Sequence, residues 1–358
     1  MSWYEITLGE VFEFAYGKGL PARYRKEGPF PVYGSGGVID SHNKALVSGP
    51  GIIVGRKGTV GAVYWSNSDF YPIDTTYYVK LKGTIIKLRY AFYLLKTLPM
   101  SQMNTDVAVP GLNRSNALRL KVSIPSLAQQ QRIIDILSAY DDLIENNRRR
   151  IQLLEQAARL LYKEWFVNLR FPGHEHSNLS LPTSNFPKGV PEGWERKPLG
   201  DVATLKYGKA LKQDNRIPGA FPVYGSSGIV GTHEKPLVKG PGIIVGRKGN
   251  VGSVYWSEDD YHPIDTVYYI ESSESSLYLY YALQNTSFIN TDVAVPGLNR
   301  DFAHSCELLI PESRMKSYFE DIVAPMHRQI YGLLKYNETL AKARDLLLPR
   351  LMNGEVVV

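Results

Sequence analysis

An internal repeat is the feature that most constrains how this chain folds. Residues 30–79 align with residues 221–270 without a gap, and by direct count about two-thirds of the positions are identical. After a short difference in length, residues 104–114 and 290–300 both read Asn-Thr-Asp-Val-Ala-Val-Pro-Gly-Leu-Asn-Arg. Solenoid repeats have periods of about 20–50 residues, so a repeat of this length indicates a tandem pair of similar domains instead.

Within each copy the local pattern favours strands. Runs rich in β-branched and aromatic residues, bounded by glycine or a turn, occupy residues 51–54, 60–65 and 74–79, and again residues 242–245, 251–256 and 265–270. Helices are predicted at residues 86–97 and 277–285. We therefore predict that each copy is an α+β module with a curved, irregular sheet.

A long helix is predicted after Pro125 and another after Pro311, because apolar residues there recur in alternating steps of four and three, as in a coiled-coil seam. The first seam is Ile133, Leu137, Tyr140, Ile144, Asn147, Ile151, Leu154, Ala158, Leu161 and Trp165. The second seam is Phe319, Val323, Met326, Ile330, Leu333, Asn337, Leu340, Arg344, Leu347 and Leu351. Each helix would have about 40 residues and a length of roughly 60 Å. Pro325 and Pro349 interrupt the second pattern, so we expect that helix to start late or kink, and its last turn to be weakened.

We expect the two helices to pair with each other as an antiparallel coiled coil. Matching the seams end to end places Asn147 opposite Asn337, where a buried amide pair would fix the register. The alternative is that both asparagines lie at the edge of the seam and are hydrated. Antiparallel pairing would relate the modules by a pseudo-twofold axis and place them several tens of Å apart, compared with roughly 34 Å for one turn of B-DNA.

The predicted domain organisation has five segments. Residues 1–124 form the first module, 125–170 the first long helix, 171–190 a linker, 191–310 the second module and 311–353 the second long helix. The linker region is rich in Pro, Ser, Asn and Gly, which suits an exposed, loosely structured connection. His174 and His176 lie in it, and histidines in a polar linker are more often solvated than bound to a metal.

Composition and charge set broad limits on the class of protein. The formal net charge is +6 and the isoelectric point is about 9.0, which permits an acidic partner such as nucleic acid without requiring one. Cys306 is the single cysteine of the chain, so no internal disulfide can form. The sequence has no apolar run long enough for a membrane span, and its first residues do not read as a signal peptide. We expect a cytoplasmic protein.

The first candidate contact element is a glycine-bounded loop that keeps Arg-Lys in both copies. Glycines let a backbone approach a phosphate closely, and the neighbouring cations supply charge and bidentate hydrogen bonds. The candidates for DNA contact in this loop are Arg56, Lys57 and Thr59 in the first copy and Arg247, Lys248 and Asn250 in the second. The alternative is a tight hairpin whose cations are merely exposed.

Other candidates for DNA contact lie in a second glycine-rich loop and in shorter matched motifs. They are Tyr33 and Ser35, Tyr224, Ser226 and Ser227, Lys18 and Lys209 in Tyr-Gly-Lys, and Arg114 and Arg300 in Asn-Arg. The second loop could equally be a plain turn, and the last two arginines could pair with Asp106 and Asp292 instead. His42 and His233 also match, although a structural histidine is the more usual outcome. The copies differ at Thr59/Asn250 and Gly36/Ser227, among other positions, and such differences would set any difference between two recognised half-sites.

Signatures of catalysis are missing from the sequence. It has no phosphate-binding P-loop, no His-Glu-x-x-His, no Gly-x-Ser-x-Gly and no Cys-x-x-Cys. It also lacks the Asn-Pro-Pro-Tyr type of tetrapeptide of adenine methyltransferases. We therefore expect a non-catalytic binding subunit without a cofactor or metal of its own. The alternatives are a coiled-coil adaptor with two protein-binding modules and a self-sufficient enzyme acting on nucleic acid.

The pattern resembles the specificity subunits of type I restriction–modification systems. The resemblance rests on Val109-Pro-Gly-Leu-Asn-Arg114 followed by Val122-Ser-Ile-Pro125 and the Gln-rich start of the first helix, on their counterparts in the second copy, and on the tandem module–helix plan. The start of the second helix, residues 312–317, departs from it because the Gln-rich sequence is missing, so its docking contacts could differ.

The resemblance implies that each module is a target-recognition domain and that the long helices are spacers. It further implies recognition of a bipartite sequence in double-stranded DNA. The helices would dock two modification (methyltransferase) subunits, which use S-adenosylmethionine and flip out an adenine, and restriction subunits would join the full complex. Because the two modules are so alike, we expect a nearly palindromic target.

Overall fold

The protein is described by a computed structural model that covers residues 3–103, 111–182, 188–288 and 297–358. It divides into two compact units. Unit 1 comprises Met1–Asn146 and Tyr336–Val358, and unit 2 comprises Asn147–Lys335. Each long helix therefore contributes one part to each unit. Within the described ranges, no helix has both the length and the apolar composition needed to cross a membrane.

The module in unit 1 has the α+β composition expected from the sequence. Its strands are β1 (Tyr4–Thr7), β2 (Phe12–Tyr16), β3 (Phe30–Gly34), β4 (Gly37–His42), β5 (Gly51–Gly55), β6 (Val63–Ser66), β7 (Tyr71–Pro72), β8 (Thr76–Leu81) and β9 (Lys121–Ile124). Its helices are α1 (Leu8–Val11), α2 (Leu88–Thr97) and α3 (Arg114–Leu118). The first long helix, α4 (Leu127–Tyr162), follows β9 directly.

The module in unit 2 repeats the same order of strands. They are β10 (Glu195–Pro198), β11 (Lys206–Tyr207), β12 (Phe221–Gly225), β13 (Gly228–His233), β14 (Gly242–Gly246), β15 (Val254–Ser257), β16 (His262–Pro263), β17 (Val267–Ile270) and β18 (Glu307–Ile310). Its helices are α5 (Leu199–Val202), α6 (Leu277–Gln284) and α7 (Arg300–Ser305), and the second long helix is α8 (Ser313–Met352).

Within the described ranges, each module contains three small sheets with matching topology. In unit 1 they are the antiparallel sheet β2-β8-β5-β6, the sheet β4-β3-β7 and the pair β1-β9; in unit 2 they are β11-β17-β14-β15, β13-β12-β16 and β10-β18. The central strand β5 carries Ile52, Ile53 and Val54, none of which is exposed to solvent. Both faces of this strand are covered, which explains why its sequence is continuously apolar and not alternating. The repeat in the sequence is therefore a repeat of the fold.

Unit 1 includes the start of α4 packed against the end of α8. Ser126 caps α4, because its hydroxyl accepts a hydrogen bond from the backbone of Gln129 at 3.4 Å. Leu137 lies in one buried cluster with Leu348 and Leu351, and one turn further along α4 Asp141 is 2.7 Å from Arg344. The two helical segments of this unit therefore run antiparallel.

Unit 2 includes the other parts of the two long helices. Trp165 lies against Tyr318 with 5.3 Å between ring centroids, and Ala158 and Val323 share the same buried cluster. These segments also run antiparallel. Beyond Tyr162, α4 continues as one π-helical turn, Lys163–Val167, and the chain leaves it through Leu169, which is buried and has a left-handed backbone (φ 59°).

The seams expected from the sequence are the sides of the helices that avoid solvent, since no seam residue is exposed. Asn147 is 1% exposed in unit 2, and Asn337 is half-buried in unit 1. The pairing of Asn147 with Asn337 stays a prediction. The expectation that the second helix starts late is wrong: α8 begins at Ser313 and continues through Pro325 and Pro349 to Met352. Burial of apolar residues on both sides of Pro325 offsets the lost hydrogen bond.

The linker is more ordered at its ends than its composition predicts. Phe171 and Val190 are 6% and 7% exposed and belong to the apolar core of unit 2. Leu179 and Pro191 form a β-bridge. His176 is exposed, as expected, and the Nδ1 atom of His174 lies 2.8 Å from the carbonyl oxygen of Phe171.

The Gln-rich start of α4 has an internal structural role. Gln130 is fully buried; its amide donates to the carbonyl oxygens of Ile85 (2.9 Å) and Pro125 (3.0 Å) and accepts from the backbone of Lys87 (2.9 Å). It thus ties the start of α4 to the start of α2. In the second copy, Ser276 caps α6 with its own hydroxyl instead. The Gln-rich start of the first long helix therefore serves to join that helix to its module.

Candidate functional site

The candidate loop of the first module follows strand β5 as a tight turn. A Cβ atom on Gly55 would lie 2.1 Å from the carbonyl oxygen of Thr59, and Gly58 has a φ angle of +82°. Both positions therefore require glycine. The backbone amides of Arg56 and Lys57 donate to the carbonyl oxygen of Thr75 at 2.9 and 3.1 Å. The turn holds Arg56 in a defined position, while Lys57 and Thr59 are exposed.

The segment that leads to Arg114 is fastened to the same turn. The amide of Leu112 donates to the carbonyl oxygen of Arg56 at 2.8 Å, and Lys57 and Gly111 form a β-bridge. The hydroxyl of Tyr77 donates to the carbonyl oxygen of Leu112 at 3.1 Å. Burial raises the pKa of Tyr77, so this phenol stays a donor at neutral pH. Residues far apart in sequence thus bring Arg56 and Arg114 together.

The two arginines share one tyrosine ring. The Cζ atoms of Arg56 and Arg114 lie 5.0 and 5.2 Å from the ring centroid of Tyr16, within the range of cation–π interactions. Tyr16 ends strand β2 and is 50% exposed. Arg56 also donates from Nη1 to the carbonyl oxygen of Asp74 at 3.2 Å. We call Arg56, Tyr16 and Arg114 the first arginine–tyrosine cluster.

The second module contains the same arrangement. Arg247 and Arg300 lie 5.0 and 5.2 Å from the ring centroid of Tyr207, which is also 50% exposed. The amide of Leu298 donates to the carbonyl oxygen of Arg247 at 2.8 Å, and the hydroxyl of Tyr268 donates to Leu298 at 2.9 Å. We call Arg247, Tyr207 and Arg300 the second arginine–tyrosine cluster. The two clusters contain the same residue types, and their arginines lie at the same distances from the tyrosine ring.

In the part of the chain that the structure describes, the arginines of the two clusters have few acidic neighbours. Among the described residues, no carboxylate oxygen lies within 4 Å of the guanidinium groups of Arg56, Arg114 or Arg247, and Arg300 has only a contact of 4.0 Å with its neighbour Asp301. The alternative partners considered for Arg114 and Arg300, Asp106 and Asp292, lie outside the described residues. Cations on a half-exposed ring without a described counter-ion are suited to bind an anion.

The serine loop of each module lies beside its arginine loop. A Cβ atom on Gly58 would lie 2.9 Å from the hydroxyl oxygen of Ser35, and one on Gly249 would lie 3.0 Å from that of Ser226. The carbonyl oxygen of Ser35 accepts a hydrogen bond from Tyr64 at 3.2 Å, which fixes the loop. Ser35 and Ser226 are half-buried, and Ser227 is exposed, as is Asn250 in the adjacent turn. Lys248 is exposed in the same turn.

Tyr33 and Tyr224 do not fit the predicted role in DNA contact. They are 7% and 6% exposed and belong to apolar clusters of their modules. The hydroxyl of Tyr33 donates to the carbonyl oxygen of Trp65 at 3.3 Å. A β-bulge between Val32 and Tyr33 interrupts the alternation of β3, so that both side chains point into the core.

Lys18 and Lys209 are exposed, and each lies two residues after the tyrosine of a cluster. Their backbone amides donate to the carbonyl oxygens of Pro72 (3.0 Å) and Pro263 (2.9 Å). The side chains of both lysines thus extend from segments that are fixed next to Tyr16 and Tyr207.

The matched histidines are structural. His42 is 8% exposed and its Nδ1 atom accepts from the backbone of Lys26 at 3.0 Å, and His233 accepts from the backbone of Ile217 at 3.1 Å. Within the described part of the chain, no group of three or more His, Cys, Asp or Glu residues could hold a metal ion.

Tyr16 and Tyr207 are the site residues that sequence reasoning missed. The signal was present, because the tripeptide Tyr-Gly-Lys occurs in both copies. In this tripeptide the sequence pattern favours Lys18 and Lys209 as the candidates. The structure brings the tyrosine, not the lysine, into contact with both arginines.

Comparison with known proteins gives a consistent result. Residues 2–156 and 191–313 match the family described as "Type I restriction modification DNA specificity domain". The chain is 26% identical over 302 residues to the type I restriction enzyme MjaIX specificity subunit of Methanocaldococcus jannaschii, covering 75% of this chain and 69% of that protein. It is 23% identical to the HindI specificity subunit of Haemophilus influenzae, covering 80% of this chain and 82% of the relative.

A solved structure has the same fold. The crystal structure of a type I restriction–modification S subunit from M. genitalium superimposes with a TM-score of 0.63 at 20% identity, covering 98% of this chain and 96% of that one. The sequence match spans both modules, and each module contains the same fold and the same arginine–tyrosine cluster. This chain belongs to the family of type I restriction–modification DNA specificity subunits.

Proposed function

We propose that this chain is the DNA-binding specificity subunit of a type I restriction–modification complex and has no catalytic activity of its own. The observation that carries the proposal is the pair of matched arginine–tyrosine clusters, one in each module. Each presents two guanidinium groups on a half-exposed ring. Phosphate contacts by arginine position a protein on DNA, and side chains in the adjacent loops read the bases.

The residues suited to read bases are the exposed or half-buried ones beside each cluster. They are Lys57 and Thr59 with Ser35 in the first module, and Lys248 and Asn250 with Ser226 and Ser227 in the second. Hydroxyl, amide and ammonium groups recognise base edges in the major groove. Because the two modules share one fold and the same arginine–tyrosine cluster, we propose a bipartite, nearly palindromic target whose two half-sites are inverted about a gap.

The long helices are proposed to dock two modification subunits. Leu153 and Leu160 lie seven residues apart on α4 and are 56% and 52% exposed. On α8, Leu346 is 72% exposed. Large apolar side chains exposed on a helix favour binding of a protein partner. In this proposal the partners bind S-adenosylmethionine and transfer the methyl group to a flipped adenine, and restriction subunits complete the assembly.

The experiment is to map methylated sites in cells with and without this gene, and with the reconstituted complex of specificity and modification subunits. We expect methylation at one interrupted motif whose two halves are near inverted copies. Two unrelated half-sites would disprove the palindromic form of the target, and an unchanged methylome would disprove the proposed function.

Binding of the purified chain to duplex DNA separates this proposal from a protein adaptor. Neutralisation of phosphates gives an affinity that falls steeply with salt. The full chain, titrated with duplex DNA at several salt concentrations, should show that dependence. An adaptor would bind neither specific nor mixed-sequence duplex. Purified chain alone should show neither methyl transfer nor DNA cleavage.

A further inference from the structure

We infer that Tyr16 and Tyr207 are positioning residues that hold two arginines of each module against a single DNA phosphate. The inference rests on the proposed function, because it names how the same site engages DNA. It assigns a role to two tyrosines that carry no charge and that neither the sequence pattern nor the family match singles out.

The first argument is the convergence of the arginines on one ring. In each module one guanidinium lies 5.0 Å and the other 5.2 Å from the same tyrosine centroid. The electron-rich ring attracts both cations. Each module therefore holds two cations at one half-exposed ring, and a phosphate that contacts both would be neutralised by the pair.

The second argument is the rigidity of the parts around each tyrosine. The first arginine is held by backbone hydrogen bonds to Thr75 or Thr266, and its Nη1 atom donates to the carbonyl oxygen of Asp74 (3.2 Å) or Asp265 (3.1 Å). The second arginine is the first residue of helix α3 or α7. It follows the segment whose carbonyl oxygen accepts a hydrogen bond from Tyr77 or Tyr268. A prearranged pair of cations loses little side-chain entropy on binding.

The third argument is the exposure of the ring. Tyr16 and Tyr207 are each 50% exposed, although Tyr77 and Tyr268, which they contact at 5.1 and 5.0 Å, are almost completely buried. The buried ring fixes one side of the exposed ring. The arginines contact the remaining surface of the exposed ring, where a ligand can reach them.

The test begins with the tyrosines in the full chain. Tyr16→Leu with Tyr207→Leu should lower the affinity for a mixed-sequence DNA duplex by roughly tenfold or more, because each cation–π contact contributes a factor of about 2 to 5. Tyr16→Phe with Tyr207→Phe keeps an aromatic face and should restore most of the affinity. Tyr24→Leu is the matched control, since Arg23 lies 4.9 Å over the exposed Tyr24 ring outside the cluster.

The salt dependence of binding then tests whether two arginines share one phosphate. The slope of log affinity against log salt changes by about 0.9 for each phosphate that is no longer neutralised. If Arg56 and Arg114 share a phosphate, Arg56→Ala and Arg114→Ala should each weaken binding with little change in slope. The double variant should reduce the slope by about 0.9. If the two arginines contact separate phosphates, each single variant should already reduce the slope.

The outcomes separate the inference from the proposed function. Wild-type chain that fails to bind duplex DNA in a salt-dependent way contradicts the proposed function. Wild-type binding with unchanged affinity in the leucine variants, or with no rescue by phenylalanine, contradicts the inference alone. Thermal unfolding of each variant shows whether the leucine substitution acts through stability, and the phenylalanine variant, which keeps the packing, decides the inference if leucine prevents folding.

Discussion

Arg56 and Arg247 are the residues whose surroundings were most predictable. Each lies in a Gly-Arg-Lys-Gly turn between strands, and both copies keep it. The structure adds the second arginine and the tyrosine, which sequence alone could not connect. Contacts between residues 16, 56 and 114 depend on the pairing of β2 with β8 and of Lys57 with Gly111, and pairing between distant strands has no local sequence signal.

Loss of both arginines should abolish specific DNA binding without unfolding the protein. Arg56→Ala with Arg247→Ala removes one guanidinium from each cluster and costs about 1 kcal/mol or less of stability per site, because exposed cation–π contacts are weak. Competition between target and mixed-sequence duplexes, together with thermal unfolding, measures both effects. Arg23→Ala, which removes an exposed cation from the ring of Tyr24, is the control. Intact recognition by the double variant would exclude these arginines from the interface.

His327 is a buried histidine of unit 2. It is 9% exposed, and its Nε2 atom lies 2.8 Å from the hydroxyl of Tyr281. Trp256 and Tyr280 also contact it, with ring centroids 6.1 and 5.8 Å away. Burial lowers the pKa of His327 to about 4 from the ordinary 6.5. Its neutral form is therefore the one compatible with the folded unit.

The stability of unit 2 should fall as the pH is lowered from 6.5 to 4. In that window the unfolded chain binds a proton at this histidine and the folded unit does not, which costs on the order of 3 kcal/mol at the acidic end. Above pH 6.5 the contribution is fully present. The unfolding midpoint, followed by tryptophan fluorescence, should depend less on pH in His327→Gln than in wild type. The exposed His176→Gln should behave as wild type, and equal pH dependence in all three proteins would refute the assignment.

At the scale of elements, unit 1 and unit 2 join helix to module with different chemistry. In unit 1, Asp141 on α4 accepts hydrogen bonds from Arg89 (3.1 Å) and Tyr93 (2.7 Å) on α2 and from Arg344 (2.7 Å) on α8. In unit 2, aromatic rings of α4, α6 and α8 fill the corresponding space. Arg344 was predicted as a seam residue, and the structure explains why the seam tolerates a cation there.

Replacement of Asp141 should destabilise unit 1 strongly. Asp141→Ala leaves Arg89 without its carboxylate and leaves Arg344 with Asp345 alone. Both arginine side chains are less than one-fifth exposed, so the free energy of unfolding should fall by about 2–4 kcal/mol. Urea denaturation is the measurement. Glu13→Ala breaks the exposed pair with Lys80 in the same unit and should have no measurable effect. A small loss for Asp141→Ala would mean that Arg89 and Arg344 find solvent or other partners.

Element type was largely predictable, and element ends were not. The apolar period of α4 and α8 gave the seam, but the continuation of α8 through Pro325 depends on tertiary packing of Phe319, Val323 and Ile330. The burial of Tyr33 depends on a bulge in β3. The ordered ends of the linker depend on contacts of Phe171 with Trp194 (4.8 Å between centroids). Composition alone could not reveal these contacts.

At the scale of the whole molecule, the two modules provide an internal comparison. The cluster residues are the same in both, whereas the exposed turns differ at Thr59/Asn250 and Gly36/Ser227. The same residues would contact phosphate in both modules, while the neighbouring turns differ. The two half-sites would therefore be similar in form and differ at particular bases.

Exchange of these positions should therefore change the symmetry of the target. Ser227→Gly with Asn250→Thr gives the second module the turns of the first, and we expect the methylated motif to become more nearly palindromic. The reciprocal change, Gly36→Ser with Thr59→Asn, is sterically allowed, since a Cβ on Gly36 would approach only the Thr59 hydroxyl oxygen, at 3.9 Å. Methylome sequencing reports both. If neither exchange alters either half-site, bases are read elsewhere.

The division of the long helices between the units bears on how the protein forms during synthesis. Unit 2 is one continuous stretch of chain, Asn147–Lys335, whereas unit 1 needs both Met1–Asn146 and Tyr336–Val358. As the polypeptide emerges, unit 2 can fold as soon as its own residues are made. Asp141 cannot pair with Arg344, and Leu137 cannot pack with Leu348, until the end of α8 has been synthesised. The first module to be translated is thus the last to be completed, and a chain that stops before residue 336 leaves that module without part of its core.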